Sequence, residues 1–323
     1  MKRIWERIPL EKRKILTVIL IAVALNALTF GLAFPIAFQL PKSSTFARDF
    51  SAYYIGEWRL FHNPTQIYYG GTVRRDYLIL PRPQTFKYTP SFLIFFAPFL
   101  ALSYPNALAV FDILQFALIP ALAYFVYKLV KDKNLVLASV ASVIILVDPL
   151  PSLSILYSPH SILKITVNSL GAASFSPGYF CGYMLGNAHV LQATLLVGAL
   201  YFGYARKPWL SALLFMFGSF DPRAALLALP LLIWYNRHSI VKFVAGSAAL
   251  LAAANLPFFF YYGVAYSFLN AEVNGNIAVQ MYQYDWIPVY SIAALTIIEI
   301  ATQLHNRRKR TDFPSPPETE NIR

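Results

Sequence analysis

Apolar residues run through this chain in long stretches separated by short charged or proline-containing interruptions. The first stretch, residues 15–38, carries no charged side chain over 24 positions, more than the roughly 20 helical residues that cross a hydrocarbon core. Others lie at 91–127, 134–147, 186–205, 208–235, 243–271 and 286–298. Helices are expected throughout, because lipid offers nothing to unpaired backbone groups. The stretch 91–127 is too long for one crossing and is interrupted by Ser103-Tyr104-Pro105-Asn106, which predicts a short or half-length helix followed by a full one. Residues 208–235 break in the same way at Ser219-Phe220-Asp221-Pro222-Arg223. Residues 151–185, rich in Ser, Pro and Gly, fit either a surface helix with a loop or a further crossing. The pattern predicts an all-α, polytopic integral membrane protein: a bundle of about 8–10 transmembrane or half-membrane helices, one domain over 1–310 and a disordered cytoplasmic tail over 311–323.

Composition agrees with the pattern. Hydrophobic residues make up 57% of the chain and charged residues 13%, against about 25% charged in soluble domains. The first stretch is too long for a secretory signal peptide and reads as a retained helix. The net charge of +12 would suit nucleic acid, but the basic residues gather at the two ends and in one loop between apolar stretches. That is the distribution membrane insertion favours. It places both termini in the cytoplasm, along with turns at Lys128, Lys131 and Lys133, at Arg206 and Lys207, and at Arg237 and Lys242. Residues 41–89 then lie outside, as do parts of 151–185 and 270–285. The single Cys181 excludes an intramolecular disulfide and a multi-cysteine metal site.

The first outside loop conflicts with this trend. It holds Lys42, Arg48, Arg59, Arg74, Arg75, Arg82 and Lys87 against Asp49, Glu57 and Asp76. Either the orientation is reversed, or the excess cations serve an anionic ligand; strong charge-assisted hydrogen bonds to phosphate favour the second.

At its head stands Arg48-Asp49-Phe50-Ser51-Ala52-Tyr53-Tyr54, followed by Leu60, by Asn63-Pro64-Thr65-Gln66-Ile67-Tyr68, and by Phe86-Lys87-Tyr88-Thr89-Pro90 before the next apolar stretch. This succession resembles the opening module of GT-C glycosyltransferases, most nearly glycosyltransferase family 87, the polyprenyl-phosphate-mannose-dependent mannosyltransferases. Gly186-Asn187-Ala188-His189-Val190-Leu191 resembles the family's Gly-Gln-x-Asn helix start, and Asp221-Pro222 to Pro230 its Lys-Pro-x-Pro helix. The resemblance covers roughly residues 15–240. It departs at Asp221, where the family usually has lysine, and in a chain shorter than most members. It implies a GT-C-like bundle whose extracytoplasmic catalytic loop, 41–89, contains short interfacial helices. It also implies transfer of a hexose, mannose by analogy, from polyprenyl (dolichyl) phosphate to a lipid-linked or glycan acceptor on the outer membrane face.

The chemistry of such a transfer can be set against the residues directly. An acceptor hydroxyl needs a base, whereas a phosphate leaving group is already acidic, so one carboxylate suffices where glycosidases use two. Asp49 is the candidate base of an inverting displacement; a loop ion pair with Arg48, or a helix cap, is the plainer role. Arg74, Arg75 and Lys87 are candidates for the donor phosphate, although lipid head-group contact would account for each of them. Tyr53, Tyr54 and Tyr88 serve as a sugar platform or an interfacial aromatic belt. His189, Asp221 and Arg223 are candidate substrate contacts, with a packed histidine and mutual neutralisation of the Asp–Arg pair as the alternatives. Asp112 and Asp148 are expected to satisfy local helix contacts. No carboxylate pair or His cluster of metal-ligand spacing occurs in the loop, so neither metal nor cofactor is implied. The expected partners are the lipid-linked sugar donor, a glycan or glycolipid acceptor and membrane lipids. A transporter or lipid-handling protein, and a non-catalytic partner subunit of GT-C ancestry, are the competing readings.

Overall fold

A computed structural model describes residues 6, 8–39, 48–68, 73–75, 78–80, 86, 88–130, 186, 188–262 and 286–311. Among them are eight α-helices: α1 (Leu10–Gln39), α2 (Arg48–His62), α3 (Tyr104–Val130), α4 (His189–Tyr204), α5 (Pro208–Gly218), α6 (Pro222–Tyr235), α7 (Ile240–Tyr262) and α8 (Trp286–Thr311). A 3-10 helix over Pro90–Ala101 precedes α3, and a small antiparallel hairpin pairs β1 (Val73–Arg75) with β2 (Leu78–Leu80). Tyr104–Val130 and Arg237–Phe258 are long and apolar enough to cross a membrane. The expected segments at 134–147 and 151–185, the loop at 270–285, Asp148 and the tail beyond Thr311 lie outside the described residues.

Both predicted interruptions are real. Pro105 stands in the first turn of α3, where its missing N–H costs nothing. Upstream, the 3-10 helix runs for 12 residues, an unusual length for i→i+3 bonding. Its sequence explains it: Pro90, Leu93, Phe96 and Phe99 recur every third position, and all four are buried. Three residues per turn put them in one line, which packs against α2. The last run fades at 298, yet α8 continues to Thr311, because Arg, Lys, Gln and Leu are good helix formers without being apolar enough to extend the run.

Helix α4 is apolar on all sides and packs against α3, α5, α6 and α8, as an all-round apolar helix in a bundle must. Its residues Ala193, Leu196, Val197 and Leu200 join Ala22, Ile119, Leu122, Val126, Ala228 and Leu232 in the larger of two hydrophobic clusters.

The basic turns collect at one end of the bundle. Lys128 near the end of α3 meets Glu11 near the start of α1 at 3.4 Å. Phe125 lies against Tyr201 and Phe202, just before the Arg206-Lys207 turn. Tyr204 packs on Tyr235, whose hydroxyl donates to Glu299 of α8 at 2.9 Å, and Arg237 lies over the Trp234 ring. A buried polar chain braces this end: Asn236 Nδ2 donates to Ser211 Oγ at 3.0 Å, and that hydroxyl donates to the Ala199 carbonyl at 2.8 Å. Three helices are joined by it. Replacing Asn236 by Ala is expected to cost about 1–3 kcal/mol, read as a lower thermal midpoint of the purified protein in detergent.

Candidate functional site

The second cluster lies at the opposite end and is mostly aromatic. Phe50, Tyr53 and Tyr54 of α2 pack with Phe92, Phe96 and Phe99 of the 3-10 helix and with Tyr104 and Phe111 of α3. The Phe50 ring stands 5.3 Å from Phe111 and 5.4 Å from Tyr104; Tyr53 stands 4.9 Å from Phe96. Short helices were expected within the 41–89 loop, without bounds, and residues 48–54 open one of 15 residues. The reason is periodic: Phe50, Tyr53, Tyr54 and Leu60 fall on one helical face, and that face has an aromatic partner to bury against.

The helix carries Asp49 in its first turn. Its side chain lies outside the described residues, as do those of Arg74, Arg75, His189 and Arg223, while Lys87 is outside altogether. Their backbone placement is informative. Gly186, at φ +65°, sits so close to Phe50 and Leu108 that an added Cβ would lie 2.5 Å from Phe50 Cβ and 2.7 Å from Leu108 Cδ1. The residue after Asp49 is thereby packed against the turn three residues before His189, which begins α4. Gly186→Ala combines a left-handed backbone with two clashes and is expected to lower stability by about 2–5 kcal/mol, measured by thermal unfolding.

Asp221 is tied to the same cluster. The Thr89 N–H donates to the Phe220 carbonyl at 3.1 Å, and Phe220 stacks on Phe92 with ring centres 3.8 Å apart. Gln192 Nε2, one turn into α4, donates to the carbonyls of Gly218 at 3.1 Å and Asp221 at 3.3 Å, while Ser219 Oγ donates to Met216 O at 2.8 Å. Carbonyls at the break between α5 and α6 are therefore bonded inside the protein, as a break within an apolar run requires. Asp221 itself is buried.

Thus Asp49, Tyr88, His189, Asp221 and Arg223 come to one end of the bundle by position. Arg74 faces Ile79 and Arg75 faces Leu78 across the hairpin, and no described contact joins them to the cluster. The three tyrosines differ. Tyr53 and Tyr54 are closed off from solvent; the Tyr54 hydroxyl donates to Leu102 O at 2.7 Å, and Tyr53 meets the Tyr88 hydroxyl at 3.4 Å. Of the three, only Tyr88 keeps part of its surface exposed, its ring held edge-on to Phe220.

Two acidic residues stand out against expectation. Asp112, expected to make local helix contacts, is fully buried, and neither of its oxygens has a hydrogen-bond partner among the described residues. The helix supplies it no donor because interior N–H groups are already bonded to carbonyls. Glu57 was read only as one charge in a loop, yet it is fully buried with both oxygens likewise unpartnered. Burial alone pushes its carboxyl up from 4.5 to about 8. Its place three residues after Tyr54 and four after Tyr53 puts it on the buried face of α2; that spacing was the available clue. Among the described residues, no three His, Cys, Asp or Glu side chains come together as metal ligands. No protein-family model, curated protein or solved structure matches the chain.

Proposed function

We propose that this protein is a multi-pass membrane glycosyltransferase that uses a polyprenyl-phosphate sugar donor and acts at the membrane face opposite its basic turns. The observation that carries this reading is the gathering of Asp49, Tyr88, His189 and Asp221, far apart in sequence, around one aromatic cluster at the end of the bundle away from Lys128, Arg206 and Arg237. Basic turns favour the cytoplasmic side, which puts both termini there and the cluster near the outer face. In the step proposed, the acceptor oxygen attacks the anomeric carbon from the side opposite the phosphate. The carbon–oxygen bond to phosphate breaks, polyprenyl phosphate departs with the electron pair, and the acceptor proton passes to Asp49. Arg74, Arg75 and Lys87 stabilise the departing phosphate, and Tyr88, the partly exposed ring of the three tyrosines, meets the sugar. The direct test is transfer from polyprenyl-phosphate mannose and polyprenyl-phosphate glucose to a glycolipid acceptor in proteoliposomes. Transfer from either supports the reading; none from either counts against it.

Asp112, fully buried in a membrane-length helix with no hydrogen-bond partner among the described residues, favours a second reading, a transporter. Such carboxylates frequently mark ion or substrate paths. Uptake of a solute into proteoliposomes without sugar transfer would select it.

A further inference from the structure

Three helices of the bundle carry a belt of buried polar side chains. On α1 it contains Asn26, on α3 Asp112 and Gln115, and on α4 Gln192 and Thr194. Levels can be read from the ion pair at the basic end. From Glu11, Asn26 is 15 residues along α1; from Lys128, Asp112 is 16 residues back along α3. At 1.5 Å per residue, each is about 23 Å from that pair, and α1 and α3 are packed neighbours. Ala22, one turn below Asn26, belongs to the same hydrophobic cluster as Ile119 and Leu122. Gln115, three residues after Asp112, shares its helix face.

Members of the belt on α4 are spent on the protein itself: Gln192 on the carbonyls of the α5–α6 break, and Thr194 Oγ1 on Val190 O at 2.7 Å. Asp112 is not. Its two carboxylate oxygens are buried in a helix of membrane length with no donor among the described residues. Asn26 Nδ2 donates to Ala22 O at 2.8 Å, which turns the amide oxygen to the opposite side.

We propose that Asp112, Gln115 and Asn26 form a site between α1 and α3 for one monovalent alkali cation, sodium or potassium. The donor set is a carboxylate and two amide carbonyls, hard oxygen ligands that suit hard cations and not soft metals. One carboxylate balances one positive charge, whereas a divalent ion would leave the pair charged in a low-dielectric interior. A cation would also supply what the carboxylate lacks, a positive partner on both oxygens. The site does not depend on the transferase reading, since binding is read from stability.

The experiment is thermal unfolding of the purified full chain in nanodiscs, titrated with NaCl, KCl or choline chloride at constant ionic strength. The wild type is expected to gain about 5 °C, saturably, with sodium or potassium but not with choline. Asp112→Asn is expected to lose that response, and Gln115→Leu to weaken the half-saturating concentration about tenfold. A wild-type midpoint indifferent to which cation is present overturns the proposal, whatever the variants do. So does a response retained unchanged in Asp112→Asn or, should that variant not fold, in Gln115→Leu.

Discussion

Asp49→Asn is expected to lower sugar transfer by about 10²–10⁴-fold, the usual contribution of a positioned general base. That corresponds to about 3–5 kcal/mol of lost transition-state stabilisation. The choice of asparagine matters because Asp49 occupies the first turn of α2. There a carboxylate earns only ~0.3–1 kcal/mol from the helix dipole, and asparagine serves about as well as aspartate at helix starts. The substitution therefore keeps the shape and most of the capping ability while removing the proton acceptor. A base and a cap predict different results: the base predicts a collapse of turnover with a thermal midpoint nearly unchanged, the cap a small loss of stability with turnover intact. Equal transfer by the two proteins would end the assignment of Asp49. KM for the donor should move little, because the carboxylate acts on the acceptor.

The ends of the helices were legible wherever proline marked them. Pro105, Pro208 and Pro222 each stand at or next to the first residue of a helix, where a missing N–H is tolerated. The polar residues at the breaks were legible as well, but their purpose was not. Gln192 caps carbonyls 26 and 29 residues away along the chain, and sequence spacing carries no information about such pairings. Residues 48–62 are a different case. A helix was expected somewhere in the 41–89 loop, but its bounds were not, and Phe50, Tyr53, Tyr54 and Leu60 supply the buried stripe that sets them beside Arg48, Asp49, Glu57 and Arg59. Tertiary context decided it, because an aromatic 3-10 face was available for that stripe. Of the candidate site, the convergence of Asp49, His189 and Asp221 on one end follows from the order of the spans. The burial of Asp112 and Glu57 does not, since a charged letter in an apolar pattern says nothing about whether a partner is present.

Glu57→Gln is expected to make the protein more stable at alkaline pH, against the usual cost of altering a buried residue. Glu57 is fully buried on α2 without a partner among the described residues, and burial holds its carboxyl near 8 instead of 4.5. Between those values the folded protein keeps a proton that the unfolded chain has released. The contribution of Glu57 to stability is thus greatest below pH 4.5, falls as pH rises, and levels off above about 8. At about 1.4 kcal/mol per pH unit, the ceiling on this loss is ~5 kcal/mol. Water entry and relaxation around an amphipathic helix reduce such costs, so a difference of about 2 kcal/mol is expected at pH 8.5. Glutamine stays neutral throughout and resembles the protonated acid in shape, so the two proteins should match near pH 5 and diverge above it. Chemical denaturation in detergent at pH 5, 7 and 8.5 reads this directly. Parallel pH profiles for the two proteins would mean that Glu57 is charged and paired in the folded state, and that α2 does not hold an acid in its buried face.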